Sequence, residues 1–264
     1  IIPDLQAARD GLSATIVDGR ASKYAAQGML GKVYIQMGNF SSAEPHLAAV
    51  VNNATADGIE LQADFAKIFG VDNDLNSEII FATQISSTVE DEYSDSEFWS
   101  WSGGLDTKSL EPLEMSLFNA YSDNDLRRAV SADTAKMASP KFPQTGGPDH
   151  DWIELRLADV ILLYAEALNE NGNTSSAVTE LDKIRTRAGL TGSTASSQGD
   201  VRTAIQDERR LELAFEGQRW FDLVRTGTVD AAMGETVNSN YHLFPIPITE
   251  ILSSFGVITQ NEGY

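Results

Sequence analysis

The chain has 264 residues, of which 42% are hydrophobic, and its 39 acidic and 19 basic side chains give a formal net charge of -20 at pH 7. An acidic surface repels nucleic acid, so we expect no nucleic-acid partner. The absence of cysteine excludes disulfides, thiol nucleophiles and cysteine-ligated zinc within this sequence. The longest apolar run, residues 160–165, is far shorter than the ~20 residues that cross a bilayer, and we expect no transmembrane segment here.

The first residues carry neither a starting Met nor a basic segment that leads into an apolar one. No signal peptide is therefore visible, and we expect the natural N-terminus to lie upstream.

Two segments share a helical pattern, residues 21–52 and residues 155–187. Gly172-Asn173 repeats Gly38-Asn39 at an offset of 134 residues, and apolar side chains recur at i, i+3, i+4 and i+7 around each. Each segment is predicted to be a tetratricopeptide-like pair of helices joined at its glycine. Because unrelated sequence separates the copies, we expect two separate supports and not a continuous repeat array.

The sequence around these pairs predicts few strands. A short buried strand is expected at residues 78–84, and helices near 112–121 and at 200–216, with loops at 139–151 and 191–199. The predicted fold class is mostly α, with tetratricopeptide-like helix pairs, inserted loops and a few short strands. We expect a single domain over residues 1–264, with an inserted ligand-binding segment at about 86–151.

The most attractive binding segment is residues 89–105, which mixes aromatic and acidic side chains. Sugar rings stack on aromatic planes and their hydroxyls donate to carboxylates, so this mixture suits a carbohydrate platform. The opposing interpretation is a loop that folds its aromatic rings onto the helices and its acids into solvent. The candidate ligand-binding residues are Glu92, Tyr93, Asp95, Glu97, Phe98, Trp99 and Trp101, with Trp152 as a further residue that borders a cleft or packs in the core.

A charge-dense helix is predicted at residues 207–225, and it permits an enzymatic alternative. Glu208, Glu212 and Glu216 recur every four residues, and paired carboxylates can act as acid and base. Interleaved arginines favour structural ion pairs between helices instead, and we expect Trp220 and Phe221 in the core. We therefore predict no catalytic residues and no enzyme activity.

Metal and cofactor signatures are weak. The three histidines are scattered, and no phosphate-loop or dinucleotide fingerprint is present. Residues 72–76 resemble the start of a calcium loop, but Ser77 and Thr83 stand where that motif needs Gly and Glu. Turn chemistry explains this segment better, and no metal or cofactor is expected.

Several short motifs, in order, resemble the SusD/RagB family of outer-membrane nutrient-binding lipoproteins. They are GRASK at 19–23, SEIIF at 77–81, RLADV at 156–160 with AEA at 165–167, ERRLEL at 208–213, EGQRWFDLVR at 216–225 and FPIP at 244–247. The resemblance implies a SusD-like α-α superhelix that here lacks its N-terminal half. It also implies non-catalytic capture of an oligosaccharide or polysaccharide at the cell outer membrane, and delivery to a SusC-like TonB-dependent transporter. Membrane attachment would then depend on a lipid anchor on the missing N-terminus.

Two other classes stay open at this stage. One is a tetratricopeptide adaptor that binds peptide tails in a concave groove. The other is a glycoside hydrolase that uses two of the many carboxylates.

Overall fold

The computed structural model describes residues 1–15, 20–86, 112–142 and 149–264. These residues are mostly helical, which confirms the predicted fold class. They form two compact units, residues 1–218 and residues 219–264.

The first unit contains most of the regular structure. Its elements are α1 (Ile2–Gly11), α2 (Lys23–Gln36), α3 (Phe40–Asn53), β1 (Ile79–Thr83), α4 (Met115–Phe118), α5 (Arg128–Ser131), β2 (Trp152–Arg156), α6 (Leu157–Glu170), α7 (Thr174–Arg187) and α8 (Gln198–Glu212), with 3-10 turns at Ala54–Asp57, Phe65–Ile68 and Val71–Asn73. Among the described helices α8 is the longest, with 15 residues, and none in these ranges joins the length and hydrophobicity that a bilayer span needs.

Both predicted helix pairs are present, as α2 with α3 and α6 with α7. Each turn is made by a glycine in the left-handed region, Gly38 at φ 68° and Gly172 at φ 88°. The pairs also lie against each other, with α3 packed on α6. Their direct contacts include the ion pair between Lys32 and Asp159 at 2.9 Å.

The expectation of two separate supports is therefore wrong. Residues far apart in sequence share one hydrophobic core, to which both helix pairs contribute. Leu47 of α3 and Leu162 of α6 are fully buried in it. Burial of apolar faces brings the two copies together, because neither pair covers its own apolar face alone.

The strands β1 and β2 pair antiparallel, with Ile79 opposite Arg156 and Thr83 opposite Trp152. The predicted strand at 78–84 is thus confirmed. Residues 207–225 do not form one helix, however, because α8 ends at Glu212. Phe215 at φ 64° and Gly217 at φ 73° turn the chain there.

The second unit contains α9 (Arg219–Thr226), α10 (Val229–Met233), a 3-10 turn at Ser239–His242 and α11 (Ile248–Ser253). Of its residues, Leu223 and Val229 are buried, Trp220 is partly buried and Phe221 is 50% exposed. The expectation that Phe221 is a core residue is therefore wrong.

Candidate functional site

Seven of the eight predicted ligand-binding residues lie outside the described residues. They are Glu92, Tyr93, Asp95, Glu97, Phe98, Trp99 and Trp101. The eighth, Trp152, is the first residue of β2. It lies opposite Thr83, at the end of the strand pair from which the chain continues into residues 87–111.

A set of buried, ion-paired side chains lies at the other end of β2. We call this set the buried ion cluster, and its members are Glu78, Asp125, Arg127, Lys141, Arg156, Arg187, Glu208, Glu212 and Glu216. All of them except Arg187, which is partly buried, are at most 5% exposed. The prediction of structural ion pairs between helices is confirmed, and these carboxylates are enclosed in the core.

Arg156 is the centre of the buried ion cluster. Its guanidinium donates to Glu78 Oε1 at 2.8 Å, to Glu212 Oε1 at 2.6 Å and to Glu216 Oε2 at 2.6 Å. Phe65 covers the guanidinium, with the ring centroid 6.0 Å from Cζ. Such charge-assisted bonds offset the large cost of burying an arginine.

The pKa values in the cluster follow from this pairing. Burial by itself raises the pKa of Glu212, but the charges of Arg187, Arg156 and Arg127 outweigh that effect and hold the pKa well below its usual range. Burial lowers the pKa of Lys141 to about 8, although the Glu216 carboxylate opposes the shift.

The turn after α8 is fixed by the same charges. Lys141 Nζ donates to the Glu212 carbonyl at 3.1 Å, to the Ala214 carbonyl at 2.8 Å and to Glu216 Oε1 at 2.7 Å. An ammonium has three donors, and these contacts use all of them on one turn. The backbone from Glu212 to Glu216 is therefore held in place on both sides, by Lys141 and by Arg156.

This turn lies against the aromatic pair that Trp152 forms with Phe142. The two rings are nearly parallel, with centroids 6.0 Å apart and planes 17° apart, and both side chains are partly buried. Gly217 adjoins the indole, because a Cβ at this position would lie 3.2 Å from Trp152 Cζ2. An offset pair of this kind presents a fixed aromatic surface.

A small pocket adjoins Phe142. Isoleucine and phenylalanine side chains form much of its lining, and its polar lining residues are Asp74, Lys141, His150 and Asp151. Asp151 Oδ1 accepts a hydrogen bond from the backbone N–H of Ile85 at 3.0 Å. Asp151 Oδ2 is buried and has no hydrogen-bond partner among the described residues, so its capacity to accept a hydrogen bond is unused there.

The second carboxyl that lines the pocket is Asp74. Partial burial, together with the nearby charge of Asp151, raises the pKa of Asp74 to about 7. At neutral pH this carboxyl is therefore divided between a hydrogen-bond donor form and an acceptor form.

Residues 72–76 adopt a turn, as predicted. Asn73 and Asn76 donate from their amides to the backbone carbonyls of Phe69 and Ile68. Within the described ranges no group of three or more His, Asp or Glu side chains is arranged to hold a metal ion.

Sequence patterns signal Phe142, Asp74, Asp151 and Gly217 only weakly. Phe142 lies in a stretch predicted only as loop, and Gly217 in one predicted only as helix. The adjacent His150, Asp151 and Trp152 at the start of β2 are a usable signal, because polar and aromatic side chains at a strand end are typical of a site.

Known proteins resemble this chain over its whole length. The sequence model of the SusD family matches residues 76–242. SusD-like protein P2 of Formosa agariphila is 25% identical over 100% of this chain, which spans 64% of the length of that relative. A structure described as a laminarin binding SusD-like protein is 28% identical, with a TM-score of 0.80 over 100% of this chain and 68% of the other.

A further likeness concerns the fold alone. The surface glycan-binding protein A from Bacteroides thetaiotaomicron, solved in complex with laminarihexaose, has a TM-score of 0.79 and 19% identity over 98% of this chain and 69% of its own. The predicted family is confirmed by the match to residues 76–242, which covers more than half of the sequence. The chain belongs to the SusD family.

Proposed function

We propose that this chain binds an oligosaccharide without cleaving it, at the end of the strand pair that carries Trp152. The observation that supports this most is the Phe142–Trp152 ring pair next to the pocket of Asp74 and Asp151. The rings supply an apolar plane for the C–H face of a sugar, and the carboxyl oxygens accept its hydroxyls.

The predicted segment 89–105 completes the proposed site. The chain leaves the strand pair after Thr83, on the side where Trp152 lies. We propose that Glu92, Tyr93, Asp95, Glu97, Phe98, Trp99 and Trp101 face the same ligand as Trp152.

The wider role in the proposal follows the family. The protein is placed at the cell outer membrane, exposed at the surface and attached through a lipid anchor. There it captures a polysaccharide fragment and delivers it to a SusC-like TonB-dependent transporter.

Affinity electrophoresis in gels that contain polysaccharides tests the binding step. Laminarin is the first glycan to include, because a relative with 28% identity binds it. Retardation in at least one glycan gel, with no reducing sugar released, supports the proposal. Migration unchanged in every glycan would overturn it, and release of reducing sugar would favour a hydrolase.

A further inference from the structure

Gly217 adjoins the indole of Trp152 so closely that any side chain there would contact the ring. It has φ 73° and lies in the left-handed region. A Cβ there would lie 3.2 Å from Cζ2 and 3.7 Å from Cη2 of Trp152, both of which belong to the six-membered ring. A separation of 3.2 Å is tighter than an ordinary carbon contact, so either the backbone or the ring must give way.

The backbone at Gly217 is held in position by its neighbours. Glu216, directly before Gly217, accepts from Lys141 Nζ at 2.7 Å and from Arg156 Nε at 2.6 Å, and all three side chains are buried. Moving the turn would weaken several charge-assisted hydrogen bonds at once. The indole is only partly buried, so the ring is the part that would move.

The aromatic neighbour of the indole, Phe142, is also held in place. Phe142 stacks on the indole and follows Lys141 directly in the chain, so it starts from a backbone fixed by the same buried charges. Phe142, Trp152 and Gly217 therefore lie on three segments of the chain. Ion pairs between Lys141, Arg156 and Glu216 hold these segments together.

We propose that Gly217 is a positioning residue for glycan binding, which sets the placement of the Trp152 ring against Phe142 without itself contacting the ligand. The inference rests on the proposed function. A side chain at this position displaces the ring from the plane on which the sugar stacks, and binding weakens while the fold is kept.

The test is calorimetric titration of Gly217→Ala with the glycan that retards the wild type. The expected loss of affinity is about fivefold or more, because the displaced ring offers the sugar less of its plane. Gly172→Ala is the matched control, since Gly172 has φ 88° and nothing within 4 Å of the added Cβ. It carries the same backbone strain, and its affinity is expected to equal that of the wild type. Gly217→Asn, which tolerates the left-handed region better, should weaken binding as alanine does.

A double variant separates positioning from general damage. Phenylalanine lacks the six-membered indole ring that the Cβ would meet, so Gly217→Ala should cause no further loss in a Trp152→Phe background. The chain has four tryptophans, and the NMR signal of the Trp152 indole N–H is the one that Trp152→Phe removes. This signal should shift in Gly217→Ala and keep its position in Gly172→Ala.

The outcomes are distinguishable. A wild type that binds no glycan overturns the proposed function, and this inference with it, before any variant is measured. If the wild type binds the glycan, two results overturn the role of Gly217 alone. One is an affinity of Gly217→Ala equal to that of the wild type, and the other is that Gly217→Ala weakens binding as much in the Trp152→Phe background as in the wild type.

Discussion

The helix pairs of the first unit are held by apolar side chains, whereas the end of β2 opposite Trp152 is held by buried charges. In the helix pairs, fully buried Leu47 packs directly against the small residue Gly31. In the buried ion cluster, Arg156 binds three glutamates. Apolar contacts tolerate many arrangements, while charge-assisted bonds require defined directions. Burial of apolar side chains therefore positions the helix pairs, whereas directed hydrogen bonds between buried charges position the segments that carry Trp152 and Gly217.

The largest effect is expected from breaking the buried ion cluster. Glu212→Gln leaves Arg127, Arg156 and Arg187 with a lost counter-charge in the core. We expect the free energy of unfolding to fall by about 3–5 kcal/mol, because the cost of unpaired buried charge exceeds the contribution of the pair. Chemical denaturation measures it.

The control for this change is Glu180→Gln on α7. Glu180 pairs with Lys183 at 2.6 Å near the surface, and its loss is expected to cost less than about 0.5 kcal/mol. Equal losses for the two variants would contradict the account of the buried ion cluster.

The apolar packing between α2 and α3 is tested at Gly31 and Leu47. Leu47→Ala should cost about 2–5 kcal/mol through lost burial and a cavity. Gly31→Ala should cost about 1–3 kcal/mol, because its Cβ would lie 2.3 Å from Leu47 Cδ2.

The double variant measures whether these two residues interlock. In the Leu47→Ala background the new methyl group of Gly31→Ala enters the cavity, so it should be neutral or stabilising by chemical denaturation. Additive losses would show that the two helices do not pack in this way.

A smaller effect is expected from the pocket. The pKa of Asp74 is raised to about 7 in the folded chain, so the folded state keeps a proton that the unfolded state loses from about pH 4 upward. Stability from this group therefore falls as pH rises between about 4 and 7. The charged and titratable neighbours of Asp74 are Asp72, Asp149, Asp151, His150 and Lys141.

Asp74→Asn removes this dependence. Its melting temperature should exceed that of the wild type at pH 8 by about 1–3 °C, and the two should agree near pH 3.5. Asp123→Asn, at an exposed aspartate paired with Arg128, is the control and should show no such crossover. The sign of the pKa shift would be contradicted if Asp74→Asn raised the melting temperature above that of the wild type more at pH 3.5 than at pH 8.

The sequence predicted the helix pairs well, because their periodicity and turn glycines are local features. It could not place the pairs against each other, since the contact between Lys32 and Asp159 joins residues from different copies. The charge-dense stretch indicated ion pairing, but its partners Glu78, Arg127 and Lys141 come from distant segments. The break after Glu212 was missed because Phe215 adopts a left-handed conformation that a bulky residue rarely takes.

The candidate site was predictable only in part. Trp152 stood out as an aromatic residue just before the second predicted helix pair, and the structure gives it a stacked partner in Phe142. The pairing itself depends on how the loop around residue 142 returns to β2, and no local pattern encodes that return.

The placement of the glycan beside Trp152 is tested by calorimetric titration of Trp152→Ala with the glycan that binds the wild type. Loss of the ring should weaken binding about tenfold or more, because it removes a stacking surface. Chemical denaturation of the same variant should show a folded chain. An unchanged dissociation constant in a folded Trp152→Ala variant would contradict the placement of the ligand at this end of the strand pair.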